Sequence, residues 1–572
     1  MTDATAVDRS RDLSQPLDRL GPDERMKDRS DYLRGTIATG LLDRITGAVP
    51  SADDVKLMKF HGIYQQDDRD LRDERRRQKL EPAYQFMIRV RLPGGVCTPA
   101  QWLKLDELAR AHGGETLRIT TRQTFQFHWV LKDSLRPVIQ GLHETLLDTV
   151  AACGDDSRGV MCTVDPQGSR FHAEVAALAK RVSDHVIPKT RAYHEIWYGS
   201  ERVAGSGPEE PFYGRTYMPR KFKIGFALPP SNDIDVYAQD LGFIAIGGSE
   251  GLEGFNVVIG GGMGRTDQAP ETYPRLASLI GFVPAERVIA CADAVMTVQR
   301  DYGDRKDRQR ARFKYTIDDK GLDWIKAEIE RHMGTPFAAA RAFRFTSNGD
   351  SFGWNTTPDG RHHRTLVIES GRLTLALLDA LRDVARVHRG TFRLTANQNL
   401  IVAGVRTEDR PAIDAILAEH FPEIDAASPV RRNAISCVAL PTCGLAMAES
   451  ERYLPRLLDK IETILAANGL SDEPITVRMS GCPNGCSRPY IAEIALTGRA
   501  PGKYNLYLGG GFHGERLNRM VMENAGEPAI LEALAEVLGR YARERQPGER
   551  FGDFTIRAGV VREVTEGRFF ND

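Results

Sequence analysis

Apolar and polar positions trade places over FMIRVRL at 86–92 and recur every three to four residues over QWLKLDELARAHGG at 101–114. They alternate again from TLRITTRQ at 116–123 into FQFHWVL at 125–131. Period two predicts a strand and period 3.6 an amphipathic helix, so the stretch reads strand, helix, strand pair. LRPVIQGLHETL at 135–146 predicts a second helix. The same rhythm returns in RTLVIE at 364–369, LALLDALRDVARVHRG at 375–390, TFRLTANQ at 391–398, LIVAGV at 400–405 and RPAIDAILAEHF at 410–421.

The rhythm is a repeat. The offset from Arg118 to Arg393 equals the offset from Cys162 to Cys437. FNVVIGGGMG at 255–264 echoes YNLYLGGGFHG at 504–514 at a shorter offset, so the first copy carries an extra stretch, expected to be a loop. The chain reads as two related halves, each a small αβ module followed by a larger mixed module. The expected divisions are an N-terminal arm at 1–55, small modules at 56–150 and 346–428, and larger modules at 151–345 and 429–572. The arm is polar with no sustained helical period and reads as extended or loosely helical. DRDLRDERRRQKLE at 68–81 reads as a solvated helix face.

The 572 residues exceed one ordinary core, and a net charge of −1 gives no global field for nucleic acid or an anionic membrane. No apolar run approaches the roughly 20 residues of a membrane helix. The start lacks the apolar core of a secretory signal, so a cytoplasmic location is expected.

Eight cysteines are present, and four form a pattern: Cys437 and Cys443 as C-x5-C, then a long gap, then Cys482 and Cys486 as C-x3-C. Four thiolates suit zinc or an iron–sulfur cluster. The spacing fits zinc knuckles poorly and favours a four-iron cluster, with zinc and unligated structural cysteines left open. In SGCPNGCSRPY, Pro483 fixes one backbone angle and Gly485 permits positive φ, so the loop bends tightly enough to aim both thiols one way. Its counterpart in the first half is LPPSNDID at 228–235, without cysteine.

CVALPTCGLAMAESER with SGCPNGCSRPY resembles the siroheme- and iron–sulfur-containing sulfite and nitrite reductases. KFHGIYQQDDRDLR, RLPGGVCTP, RITTRQTFQFH, MPRKFKIG and FGDFTIRAGVVR are similar to the branch of that family that forms the haemoprotein subunits of assimilatory, NADPH-dependent enzymes. The resemblance runs from about residue 23 to the C-terminus. It implies an α+β fold of two ferredoxin-like modules and two mixed α/β siroheme modules related by a pseudo-two-fold. It implies Cys437, Cys443, Cys482 and Cys486 as ligands of a 4Fe-4S cluster, with Cys486 bridging to siroheme. It implies six-electron reduction of sulfite to sulfide in cysteine biosynthesis, with electrons from a flavoprotein (alpha) subunit that holds NADPH, FAD and FMN. A ferredoxin-dependent sulfite or nitrite reductase is the alternative, and a structural metal-site protein the alternative of another class. The arm is the candidate for docking the flavoprotein.

Siroheme carries eight carboxylates, for which Arg118, Arg122 and Arg393 are candidates, since guanidinium binds carboxylate bidentately. Gln123, Asn397, Gln398 and Asn484 are further donors, and RKDRQRARFKY at 305–315 is a further basic run. The resemblance places substrate on Arg89, Arg158, Lys221 and Lys223. In a strand Lys221 and Lys223 share one face. Without the resemblance, RKFK reads equally well as an exposed edge guarded by lysines. VVIGGGMGR lacks the G-x-G-x-x-G spacing, so no NADPH site is expected on this chain. His128 is a candidate hydrogen-bond partner of the macrocycle or a satisfied core histidine. Cys97, Cys153 and Cys291 read as plain buried thiols, and Cys162 has no assigned role.

Overall fold

A computed structural model describes residues 7–164, 169–189, 196–198, 201–204, 210–421 and 426–572. Both small modules form five-stranded sheets under two helices. In the first, the order runs Ile63–Asp67, Tyr84–Arg89, Phe125–Val130, Leu117–Ile119. Its fifth strand, Arg372–Leu373, comes from the other half and pairs Arg372 with Arg118. In the second, the order is Gly353–Thr356, His362–Leu366, Leu400–Val405, Thr391–Leu394. Its fifth strand is Val96–Cys97, given back by the first half. The exchange fuses the modules into one core, where Trp102 meets Phe392 at 5.0 Å between ring centroids. Each exchanged strand leads straight into a helix capped by threonine: Thr98 with a full capping box, and Thr374.

The larger modules repeat one topology. Met161–Cys162, Ile224–Ala227 and Leu241–Gly248 run parallel, followed by antiparallel Gly251–Ile259 and Ser278–Pro284. Ala434–Ser436, Val477–Ser480 and Ile494–Ala500 run parallel, followed by antiparallel Lys503–Leu508 and Arg519–Ala525. The backbone repeats as well. Gln123 and Gln398, at equivalent places in the two halves, adopt φ of 55° and 70° at the same point of the T-x-x-Q turn. Such a left-handed angle is uncommon outside glycine and marks a turn fixed by its surroundings.

The N-terminal segment differs from the expectation of a loose arm. Pro22–Arg29 is a helix, and Met26 and Leu33 are buried against Phe60 and Met218. Lys27 is fully buried, donates to the Met218 carbonyl at 2.9 Å and pairs with Glu24 at 2.5 Å. Glu24 also accepts from the buried Arg305. Low apolar content hid this anchoring because it rests on ion pairs as much as on apolar faces. The helix Arg72–Arg77 lies exposed, as the charge run indicated.

Candidate functional site

Two features meet between the halves. One is the cysteine quartet. Cys437 follows the strand Ala434–Ser436, and Cys482 and Cys486 lie on the loop after Val477–Ser480. Gly485 adopts φ +62°, as the tight turn requires. Burial pushes the Cys437 thiol up to about 12, and Cys486 and Cys482 push the same way. Burial raises Cys443 to about 11 with Cys437 and Cys486 adding to it, and raises Cys482 to about 12 with Cys486 adding to it. The thiols are therefore gathered closely enough to oppose one another's ionisation, and a metal is what would let them ionise together. Among the described residues no three histidine, cysteine or acidic side chains close on one point as a single ion needs. Four cysteine thiols gathered on neighbouring loops are the donor set that a four-iron cluster would take. The Gly481 N–H donates to Cys437 Sγ at 3.2 Å, and Asn484 Nδ2 to Cys482 Sγ at 3.6 Å. Asn484 thus attends a thiol in this structure.

The second feature is a cluster of cations. Lys221 and Lys223 flank the fully buried Phe222 just ahead of the strand Ile224–Ala227, so the alternation expected of a strand holds although the strand begins one residue later. Neither ammonium pairs with a carboxylate among the described residues. Burial, then Arg220, Arg312 and Arg158, lower Lys221 to about 7. Burial, then Lys221, Arg312 and Arg122, hold Lys223 well below an ordinary lysine. Arg122 falls to about 9 through burial, Arg158 and Arg488, and binds only neutral oxygens: Gln239 Oε1 at 2.9 Å and the Gly159 carbonyl at 2.7 Å. Arg158 donates to the Gly154 carbonyl at 3.0 Å and lies 3.8 Å from Asp156. Arg89 donates to Cys153 Sγ at 3.0 Å, which gives that thiol a partner beyond plain packing. Cations crowded past their carboxylates depress one another, and a polycarboxylate or small oxyanion is the ligand that relieves them. The charge of Lys221, Lys223 and Arg122, which no carboxylate among the described residues pairs, is the observation that fits an anionic ligand.

The two features touch. Thr121 Oγ1 donates to the Cys486 carbonyl at 3.0 Å, placing the first T-x-x-Q turn over the cysteine loop. Arg488, two residues past Cys486, donates to the carbonyls of Thr121 at 2.7 Å and Ala396 at 3.0 Å, and so clasps both turns. Asp235, in the cysteine-free counterpart loop, accepts from Arg488 and from Arg478 at 2.6 Å. The glycine stretch 260–264 reaches the same place: the Arg265 N–H donates to the Pro483 carbonyl at 3.1 Å.

Other expected contacts fall elsewhere. Gln123 spends its amide on the Cys162 backbone, at 2.7 and 3.0 Å. Gln398 accepts from the Ser436 N–H at 3.0 Å and donates to the Ile119 and Ser370 carbonyls. Each glutamine latches a turn to the larger module of its own half. Asn397 donates to Asn348 and Asp350, and Arg393 to the Val164 carbonyl. Arg118 pairs with Glu451 at 2.6 Å and with the Ser436 carbonyl at 3.0 Å, behind the cysteine loop. Both ring nitrogens of His128 are buried without a partner. From the run 305–315, Arg305 and Arg308 leave for Glu24 and Asp155. Arg312 and Lys314 join the cationic cluster; Arg312 pairs with Asp240 at 3.0 Å, and Lys314 Nζ donates to the Gly264 carbonyl at 2.7 Å. Lys314, Arg312, Arg220, Arg488 and Glu451 were missed as individuals. The basic run, the RKFK stretch and the residues beside the cysteines were the signals for them.

Similarity to known proteins covers both halves of the chain. The profile described as "Nitrite and sulphite reductase 4Fe-4S domain" matches residues 178–337, in the half without the quartet. The profile described as "Nitrite/Sulfite reductase ferredoxin-like half domain" matches residues 77–145 and 355–420, once in each half. A protein of Nitrosomonas europaea named "Sulfite reductase [NADPH] hemoprotein beta-component" is 70% identical over 99% of both chains. Proteins of the same name from Nitrobacter hamburgensis and Anoxybacillus flavithermus are 67% and 57% identical, over 99% and 96% of this chain and 99% and 97% of theirs. Among solved structures, "Structure of Mycobacterium tuberculosis NirA protein" superposes with a TM-score of 0.77 at 24% identity, over 95% of this chain and 97% of that one, which speaks for the fold. With near-identical length, two-thirds identity and the duplicated architecture in agreement, the chain belongs to the nitrite and sulfite reductase family, in its sulfite reductase [NADPH] haemoprotein beta-component branch.

Proposed function

We propose that the chain reduces sulfite to sulfide with six electrons, and this reading is carried by Lys221, Lys223 and Arg122, gathered beside the cysteine loop with no carboxylate partner among the described residues. Siroheme and a 4Fe-4S cluster, when bound, would supply the redox chemistry and the path for electrons. Cys437, Cys443, Cys482 and Cys486 would hold the cluster, with Cys486 shared, and Arg122 with its neighbours would meet siroheme carboxylates. Lys221, Lys223, Arg89 and Arg158 bind the anion and orient it. Because Lys221 titrates near 7, it can give up a proton to a leaving oxygen and recover it from water. Arginine beside it holds charge without exchanging protons, which divides binding from proton supply. The relatives' designation as a beta-component supports a partner subunit, and the finer reading is an NADPH-oxidising flavoprotein. Among the described residues no helix is long and apolar enough to cross a membrane.

The test is a visible spectrum and iron analysis of purified protein, followed by turnover with an artificial reductant, with NADPH plus flavoprotein, and with reduced ferredoxin. Siroheme absorption, iron and sulfide production are expected, with the flavoprotein the better donor. Colourless protein, or protein that turns over nitrite alone, defeats the reading.

A further inference from the structure

The segment that follows Cys443 reaches the surface at Gly444 and Leu445. Leu445, two residues past Cys443, is 70% exposed at its tip. The loop is held from beside by Arg69, whose N–H donates to the Pro441 carbonyl at 3.2 Å and whose guanidinium donates to the carbonyls of Cys443 and Ala446. Arg69 opens the basic segment. Between 72 and 79 stand five cations against two acids. Arg76, Arg77 and Lys79 are exposed, and among the described residues Arg77 and Lys79 pair with no carboxylate. The segment then returns to the N-terminal region: Glu81 accepts from Thr46 Oγ1 at 2.6 Å and from the Gly47 N–H at 3.0 Å. Ile45, beside them, is 95% exposed. Lys132 donates to the Thr46 carbonyl at 2.6 Å, which brings the exposed Leu131 alongside.

Fourteen large apolar side chains stand exposed among the described residues, and six lie along this one course: Leu42, Ile45, Leu71, Leu80, Leu131 and Leu445. Exposed apolar groups scattered singly need no explanation, but a run of them bordered by unpaired cations marks a contact surface. We propose that the strip from Leu445 through the helix Arg72–Arg77 to Ile45 is where the electron-donor protein docks, presenting an acidic face. The inference rests on the redox reading above. It adds the site at which electrons arrive, Leu445 forming the apolar centre nearest the cysteine proposed as a ligand. The cations steer an acidic partner, and the leucines and Ile45 hold it once seated.

The test uses the holoprotein with two variants: Leu445→Asp, and Arg77→Glu with Lys79→Glu. Each is assayed with NADPH plus the flavoprotein and, separately, with reduced methyl viologen. Binding of oxidised flavoprotein is measured by titration at two salt concentrations. Donor-driven turnover and affinity should fall about tenfold at low salt in both variants, while dye-driven turnover stays unchanged. The charge reversal should also flatten the salt dependence. Unchanged flavoprotein affinity in both variants, or a parallel fall with the dye, overturns the docking site. Failure of the wild-type protein to reduce sulfite with the dye would instead defeat the reaction proposed, and the titration would still decide the surface.

Discussion

Glu451 ties the cysteine loop to the exchanged strands, and Glu451→Gln tests how firmly. Its carboxylate accepts from Arg118 Nε at 2.6 Å and from Arg372 Nε at 2.6 Å and Nη2 at 3.1 Å. Those arginines face each other across the strand pair contributed by the two halves. Side-chain exposure is 4% for Arg118, 11% for Glu451 and 18% for Arg372, so glutamine would leave two poorly hydrated cations together. Removing one partner of a buried ion pair costs roughly 3–5 kcal/mol, and the partial hydration of Arg372 sets the expectation at the lower end, about 3 kcal/mol. Urea unfolding reads the change, followed by circular dichroism and by tryptophan fluorescence, since Arg372 lies 5.6 Å from the Trp129 ring centre. A double-mutant cycle with Arg372→Met isolates the pair and should give a coupling of roughly 1–3 kcal/mol. Burial works to raise the Glu451 carboxyl, but Arg118 and Arg372 outweigh it and hold the group low. A depressed carboxyl contributes fully above its unfolded value of about 4.3 and loses that contribution as pH falls through the folded value. The gap between wild type and Glu451→Gln should therefore close in acid. A cost under about 0.5 kcal/mol at neutral pH, or strict additivity in the cycle, would refute the argument.

Cys486→Ser should abolish sulfite reduction while Cys291→Ser, a buried thiol remote from the quartet, keeps it; activity and iron content check both. Lys223→Asn should lower kcat/KM for sulfite more than for nitrite, by roughly 1–3 kcal/mol if one charge-assisted hydrogen bond is lost, and equal losses would reassign Lys223 to general proton supply. Lys221 is charged below about 7 and neutral above, so kcat/KM for sulfite should decline as pH rises through that region, and Lys221→Arg should remove the decline while lowering kcat. Deleting residues 1–34 should lower the thermal midpoint even under small-molecule assay conditions, because Met26 and Leu33 each bury an apolar side chain worth roughly 1.5–3 kcal/mol.

What could be read from the chain was what carries a period or a motif. The helices Pro99–His112 and Leu375–Val387, and the strands beside them, announce themselves by apolar rhythm and by recurrence from one half to the other. The quartet and the lysines around Phe222 were legible as short patterns. The exchanged strands were not, because Val96–Cys97 and Arg372–Leu373 are two residues each and two residues have no periodicity. The fates of Gln123, Gln398 and Arg118 were also hidden. A polar side chain in a turn can face a cofactor or latch the backbone with the same sequence, and only the fold shows that Cys162 and Ser436 lie within reach. Lys27 shows the opposite error: a charged residue in a polar segment reads as solvated, yet Glu24 and a carbonyl take it entirely out of water.

The reciprocal gift of one short strand bears on how such a chain could arise. A single half, standing alone, would present Leu117–Ile119 as an open edge, and an open edge seeks a partner. The strand that closes it belongs to an equivalent half, so an ancestor half the present length would have been complete only as a symmetric pair, each copy sealing the other. Fusing the two copies would keep both seals and free each half to diverge. One could then keep four cysteines while the other kept the lysines, with no loss of the joint that had made both necessary.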